Sequence, residues 1–348
     1  MRNKILGRHT GLRVSELVLG TGMFGTKWGY GADRDESRRV FDGYVEAGGN
    51  FIDTSDSYQF GESESLLGEF IKTTRDDLVI ATKYTQSADP KGSPSVTGNS
   101  RKAMVRSLEQ SLKRLGTDRI DLYWVHMPDG VTPIDEIVRG LDDLVRAGKI
   151  LYAGLSDFPA WRVSAAAMLA ELRGLTPIAA QQIEYSLVQR TPERELLPMA
   201  DAFGIATVAW SPLGGGVLTG KYRRGEVGRQ TGMGGRLFHA EDTKQKTHIV
   251  DMLELVAAQT GSNPGRVAIA WVSAKGAIPI IGPRTRAQLD DNLAAVEGSL
   301  TAEQVDRLDE ASAISFGFPH DLLSVPATQD RIAGGKLSLL DLPRQTVR

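Results

Sequence analysis

Short apolar runs alternate along the chain with stretches in which apolar residues recur every three or four positions. A short apolar run bounded by turn signals suits a buried strand, and the 3.6-residue recurrence suits an amphipathic helix. The runs at 17–19, 50–53, 78–82, 120–125, 150–155, 178–183, 207–210 and 278–281 therefore predict strands. The periodic stretches at 35–47, 62–72, 101–115, 134–147, 160–172, 193–203, 246–274 and 286–297 predict helices, with a break in the seventh at Asn263-Pro264 and a further helix at 302–313. Ahead of this series, Lys4-Ile5-Leu6 and Leu12-Arg13-Val14 flank the turn signal Thr10-Gly11, which predicts a small hairpin outside the repeat.

About eight strand–helix units in about 300 residues fit a (β/α)₈ TIM barrel better than an open sheet. No break in composition and no Pro- or Ser-rich linker divides the chain, so one α/β domain over 1–348 is expected, with 315–348 as a C-terminal extension. The segments 84–99, 211–243 and the tail after Ser315 are too long for simple connectors. Loops of that length on a compact barrel are usually functional or mobile.

Composition acts here by exclusion. Lys and Arg number 41 against 43 Asp and Glu, for a formal charge of -2, and the signs are interspersed. No basic stripe points to a nucleic-acid partner, and a small molecule is the expected one. The absence of cysteine removes disulfides, thiolate zinc sites and cysteine nucleophiles, and no metal site is expected. The N-terminus lacks the apolar stretch of a signal peptide and no run is long enough to span a bilayer, which makes a cytoplasmic, membrane-free location the expectation. Oligomeric state is left open.

In a barrel of this kind chemistry gathers at the C-terminal ends of the strands. Those ends carry Asp53, Lys83, His126, Ser156-Asp157, Gln181-Gln182, Trp210-Ser211 and Gly282. Tyr58 follows five residues after Asp53 in the run Phe51-Ile52-Asp53-Thr54-Ser55-Asp56-Ser57-Tyr58. A phenol titrates near ~10 and is a poor acid at neutral pH, so an ammonium beside it is needed to stabilise the phenolate, and a carboxylate keeps that ammonium charged. Asp53, Tyr58 and Lys83 supply those three groups.

These blocks, in order, resemble the aldo-keto reductase superfamily over nearly the whole chain. The resemblance matches Asp53, Tyr58, Lys83 and His126 to that family's catalytic tetrad, in the contexts Phe-Ile-Asp-Thr-Ser-Asp-Ser-Tyr, Ala-Thr-Lys and Asp-Leu-Tyr-Trp-Val-His. It implies that Tyr58 protonates a carbonyl oxygen, that Lys83 depresses its pKa, that Asp53 holds Lys83, and that His126 orients the carbonyl as a neutral imidazole. It implies further that Ser156 and Gln182 hold a nicotinamide carboxamide and that Trp210 stacks on the ring. Asp157 stands where many members carry Asn; it accepts from a carboxamide NH₂ but does not donate. The run from Trp210 through Ser211, Leu213 and Gly215 to Lys221 resembles the loop over the pyrophosphate. Gly282, Arg284, Gln288, Asp291 and Asn292 resemble the adenosine-phosphate segment, where Arg284 near a helix N-terminus suits a 2′-phosphate. The implied cofactor is NADP(H), and the implied reaction is reversible reduction of an aldehyde or ketone.

Thr285 with Gln288 also reads as a capping box. Gly20-Thr21-Gly22-Met23-Phe24-Gly25 satisfies the dinucleotide fingerprint G-x-G-x-x-G after a strand, so a doubly wound fold is an alternative. In the barrel reading, Gly22 and Met23 line the cofactor, and the same loop leads to Phe24, Trp28 and Tyr30 as walls of a substrate pocket or as a lid packed on itself. Tyr58 and His126 would contact the substrate as well. The residues Phe316, Phe318, Pro319 and His320 close one side of that pocket in one reading and pack under the barrel in another. Substrate choice is expected to lie in the loops 23–32, 127–133 and 223–240 and in the tail. Two functional alternatives stand beside the reductase. One is a regulatory NADP-binding subunit resembling potassium-channel β subunits, which carry similar Trp-Ser-Pro-Leu and Gly-Lys-Tyr segments but lack this histidine. The other is a nucleotide-sugar reductase or dehydratase on the same barrel.

Overall fold

The computed structural model describes residues 1–226, 228 and 239–341. Strands β1 (Asn3–Ile5) and β2 (Arg13–Ser15) pair antiparallel with Lys4 opposite Val14. Eight parallel strands follow: β3 (Val18–Gly20), β4 (Phe51–Asp53), β5 (Val79–Tyr84), β6 (Ile120–Val125), β7 (Ile150–Ser156), β8 (Ile178–Glu184), β9 (Ala206–Trp210) and β10 (Ile278–Ile281). They close into a barrel in the order β10-β3-β4-β5-β6-β7-β8-β9. The (β/α)₈ expectation holds, with strand ends shifted by one or two residues.

The major helices are α1 (Arg34–Glu46), α2 (Glu62–Phe70), α3 (Arg101–Leu115), α4 (Ile134–Arg146), α5 (Ala160–Arg173), α6 (Leu196–Phe203), α7 (Lys244–Thr260), α8 (Pro264–Ala274), α9 (Arg286–Leu293) and α10 (Ala302–Ala311). The expected break in the long seventh pattern has a local cause. Gly261 ends α7 in the left-handed region, Asn263 accepts from the Arg266 N–H at 3.0 Å, and Pro264 opens α8. The helix expected from 193 starts instead at Leu196, because Pro192 lies in a separate 3₁₀ turn at Thr191–Glu193. No helix follows Gly20-Thr21-Gly22 until Asp33 caps α1, so Gly20 ends β3, Gly22 and Gly25 sit in the loop after it, and the doubly wound alternative is excluded.

Strand alternation sorts side chains into two layers. Phe51, Val79, Ala81, Leu122, Trp124, Ala180, Val208, Ile278 and Ile280 pack together inside the barrel, and Leu6 and Val14 of the hairpin segment close its floor. Their neighbours Ile52, Ile80, Tyr123, Val125 and Leu155 pack outward against the helices. One step of two residues beyond this inner set and the inward-facing Gly154 gives Asp53, Lys83, His126, Ser156, Gln182 and Trp210. The period that fills the barrel with apolar side chains thus delivers its last polar ones to the C-terminal mouth.

Gly154 shows how tightly the interior is filled. A β-carbon there would lie 2.4 Å from the Trp124 ring and 3.0 Å from the Ala180 carbonyl. Trp124 is fully buried and has no room to retreat. Gly154→Ala is expected to destabilise the fold by roughly 1–3 kcal/mol, the usual range for overpacking a core, seen as a lower denaturant midpoint with unchanged slope.

Candidate active site

Lys83 is fully buried and Asp53 is 2% exposed. The ammonium of Lys83 has three oxygen partners. It donates to Asp53 Oδ2, to the Thr54 carbonyl at 2.7 Å and to the Tyr58 hydroxyl at 3.1 Å. The other Asp53 oxygen accepts from Gln182 Nε2 at 2.9 Å, across the barrel mouth from β8. Burial pulls the Lys83 pKa down, but Asp53 and Tyr58 together outweigh it and raise it above the ordinary value. Lys83 Nζ also lies 4.6 Å from the centre of the Tyr58 ring. Carboxylate, ammonium and phenol therefore share one nitrogen.

His126 follows β6, tied by its N–H to the Tyr84 carbonyl at 3.0 Å. Its ring meets that of Tyr58 edge-on at 5.9 Å, and Trp28 meets Tyr58 from another side at 6.1 Å. Burial first, and the Lys83 charge second, lower the His126 pKa to about 3, so the imidazole is neutral across the physiological range. Ser55 Oγ lies 3.2 Å from His126 Nδ1.

Beside these groups is a cradle with unmet hydrogen-bonding capacity. Ser156 Oγ and Arg284 Nε are buried without a protein partner. Trp210 is half-exposed, and its indole N–H donates to Asp157 Oδ1 at 3.0 Å. Burial is the main cause that raises the Asp157 pKa, to about 6, opposed chiefly by that Trp210 bond. From Ser211 to Gly220 the backbone turns through the left-handed region at Ser211, Gly214, Gly215, Gly216 and Gly220, and Leu213 receives the Gly216 and Leu218 N–H groups. A β-carbon at Gly216 would meet Lys221 Cε at 2.6 Å, so this glycine lets the lysine cross close to the loop. Burial lowers the Lys221 pKa, Glu226 opposes the shift and Arg284 adds to it. Gly282 faces open space. Among the described residues, no group of three or more His, Cys, Asp or Glu is placed to hold a metal, and no helix is long and apolar enough to cross a membrane.

Residues 16–313 match the model of the aldo/keto reductase family. The chain belongs to that family. It is 36% identical over 338 residues to a norsolorinic acid reductase of Aspergillus flavus, an alignment covering 94% of this chain and 85% of the relative. It is 36% identical over 341 residues to an aryl-alcohol dehydrogenase [NADP(+)] of Phanerodontia chrysosporium, covering 90% and 88%. An uncharacterized oxidoreductase of Bacillus subtilis is 39% identical over 323 residues, covering 89% and 95%. Family membership makes this chain an oxidoreductase.

Several expectations for this family member change in three dimensions. Phe24 does not line a pocket: it is fully buried, edge-on to Phe70 at 6.2 Å, because the turn joining the Thr21 carbonyl to the Phe24 N–H points it into the core beneath α1 and α2. Tyr30 lies under Arg284, whose guanidinium sits 4.8 Å above its ring, and its carbonyl accepts from Gln59 Nε2 at 3.0 Å. Gly22 packs on the Tyr58 ring, whereas Met23 is nearly enclosed and its carbonyl accepts from Ala32. Thr285 caps α9 through the Gln288 N–H, but the Gln288 side chain accepts from the Arg284 N–H one residue before the cap, so the reciprocal box is not formed. Gln288 is exposed while Asn292 is buried, and Asp291 is engaged by Asn263 and Arg266. The tail is tied by Arg194 to the Ser315 carbonyl and by His320 to Glu195, and Phe318 is 87% exposed, so Phe318 itself is not packed under the barrel. Residues 227 and 229–238 of the loop 223–240, and 342–348 of the tail, lie outside the described residues.

Three partners were not foreseen. The Thr54 carbonyl carries no side-chain signal, being backbone. Ser55 and Asp56 were in view within the run before Tyr58, where the signal was a second carboxyl three residues after the one that ends β4.

The Trp210–Asp157 bond gives a direct observable. As pH falls through about 6, Asp157 takes up a proton and becomes a weaker acceptor for the indole N–H. Tryptophan fluorescence of the chain should therefore titrate with a midpoint near that value, and Asp157→Asn should remove the transition. A transition that survives the substitution assigns the signal elsewhere.

Proposed function

We propose that this chain transfers hydride reversibly between NADPH and an aldehyde or ketone, with aromatic carbonyl compounds as its substrate class. The observation that carries this reading is the single Lys83 ammonium shared by Asp53 and Tyr58, next to the half-buried His126. Support for NADPH comes from the fit of the cradle. Ser156 offers a buried hydroxyl without a protein partner, Gln182 is a side-chain amide at the same mouth whose NH₂ group donates to Asp53, Trp210 offers a half-exposed indole face, and Arg284 with Lys221 forms a cationic pair suited to a phosphate dianion. The bound cofactor supplies the hydride, which no side chain provides.

In reduction, Tyr58 gives its proton to the carbonyl oxygen. The Lys83 ammonium, 3.1 Å from the phenolic oxygen, stabilises the phenolate that remains. Asp53 keeps that ammonium charged in a site where burial alone would neutralise it. His126 is neutral and donates one hydrogen bond to the carbonyl oxygen without adding a competing acid. Trp28 beside Tyr58, and Phe60 at 6.5 Å from Trp28, border the site with aromatic faces. Those faces favour a flat aryl group. The names of the relatives, an aryl-alcohol dehydrogenase and a norsolorinic acid reductase, point the same way.

Tyr58→Phe is expected to lower carbonyl turnover by about 10²- to 10⁴-fold, the usual contribution of a positioned acid, with NADPH affinity unchanged in a fluorescence titration. Wild-type turnover of every carbonyl by that variant removes Tyr58 as proton donor. Arg284→Ala should weaken NADPH by roughly 10- to 100-fold, as expected for loss of a charge-assisted hydrogen bond, while NADH affinity stays within about twofold. Equal losses for the two cofactors would take the 2′-phosphate away from Arg284.

A further inference from the structure

Ser55 stands between His126 and a buried carboxyl group that the reaction above does not use. Its Oγ lies 3.2 Å from His126 Nδ1, 3.3 Å from Asp56 Oδ1 and 3.1 Å from Ser57 Oγ, and it receives the Ser57 N–H at 3.4 Å. A serine hydroxyl has one proton to give. Ser57 Oγ is a neutral hydroxyl that donates its own proton to Gln86 Oε1 at 3.0 Å, which leaves Asp56 and His126 as the stronger competitors for the Ser55 proton.

Asp56 is 1% exposed. Glu64 of α2, Arg114 of α3 and Tyr123 of β6 are the titratable groups that face it from neighbouring elements, and its own N–H is bound to the Lys83 carbonyl of β5 at 3.2 Å. Arg114 is committed to Glu64 at 2.6 Å, and Thr82 also donates to Glu64 at 2.5 Å. Burial and then the Glu64 charge push the Asp56 carboxyl up to about 7, against Arg114, the Ser55 hydroxyl and the Ser57 N–H.

We infer that Asp56 is a positioning residue which, through Ser55, decides which nitrogen of His126 carries the imidazole proton; the catalytic meaning of this relay rests on the reductase reading. When Asp56 is ionised, Ser55 donates to the carboxylate and His126 Nδ1–H donates to Ser55, so Nε2 presents a bare lone pair. When Asp56 is protonated, both bonds reverse. Asp56 donates to Ser55, Ser55 donates to Nδ1, and the imidazole proton resides on Nε2, where it serves a carbonyl oxygen. The two states differ by one proton, gained at Asp56, and the imidazole is neutral in both.

The test is the ¹⁵N spectrum of the histidine-labelled full chain between pH 5.5 and 8.5, with His126 assigned by its loss in His126→Gln. The expected result is an Nε2–H tautomer at low pH and an Nδ1–H tautomer at high pH, with a midpoint near 7. Asp56→Asn, whose amide always has a proton to donate, should lock the Nε2–H form. One tautomer throughout in the parent chain overturns the relay, as does a switch that persists in Asp56→Asn; the parent spectra decide even if the variant does not fold. In kinetics, kcat for carbonyl reduction should fall about tenfold one pH unit above the midpoint, and that limb should be missing in Asp56→Asn. A merely structural Asp56 leaves the limb in place. The spectra judge the relay and carbonyl turnover judges the reductase reading, so either can fail alone.

Discussion

The buried pairing of Lys83 with Asp53 is the constraint around which the barrel mouth is organised. Removing an ammonium and a carboxylate from water costs several kcal/mol per ion even after relaxation, and the mutual attraction repays this only when the remaining hydrogen-bonding capacity is also met. Here it is met from three directions. Thr54 and Tyr58 take the other ammonium protons, and Gln182 takes the second carboxylate oxygen. Leaving any of these out would strand a charge in a fully enclosed site. Strands β4, β5 and β8 are therefore held to one register by polar chemistry at the top of the barrel, as they are by apolar packing below it.

That arrangement links stability to reactivity. A lysine in such a site would ordinarily lose its proton, and the paired carboxylate prevents it. The retained charge then acts on the one partner that opens toward the mouth, the Tyr58 hydroxyl. His126 shows the opposite use of the same surroundings, because burial and the Lys83 charge both disfavour its cationic form and leave a neutral ring. Two nitrogen bases within one site are thus driven to different protonation states, one by an added partner and one by its absence.

Much of the fold was legible because a barrel repeats one physical rule. Each strand had to be apolar on both faces, which made eight runs conspicuous, and the loops between them carried the Gly, Pro and Asn signals that end helices. The misplacements were local. Leu196 begins α6 because Pro192 lies in a separate turn, and the Gln288 side chain slips one residue past the cap it was expected to close. The polar strand ends were equally legible, since Asp53, Lys83, His126, Ser156, Gln182 and Trp210 each stand two residues beyond an inward position. Phe24 and Tyr30 were not, because their loop has no period to say which way a side chain faces.

The sequence by itself determined the barrel, the order of its elements and the set of polar residues at its mouth, because all of these follow from short-range periodicity that repeats along the chain. Only the tertiary structure decided the pairing. Gln182 meets Asp53 from 129 residues away, Arg284 stacks on Tyr30, and Ser55 stands between His126 and Asp56. No local pattern encodes those contacts, since each depends on which strand ends face one another once the sheet has closed.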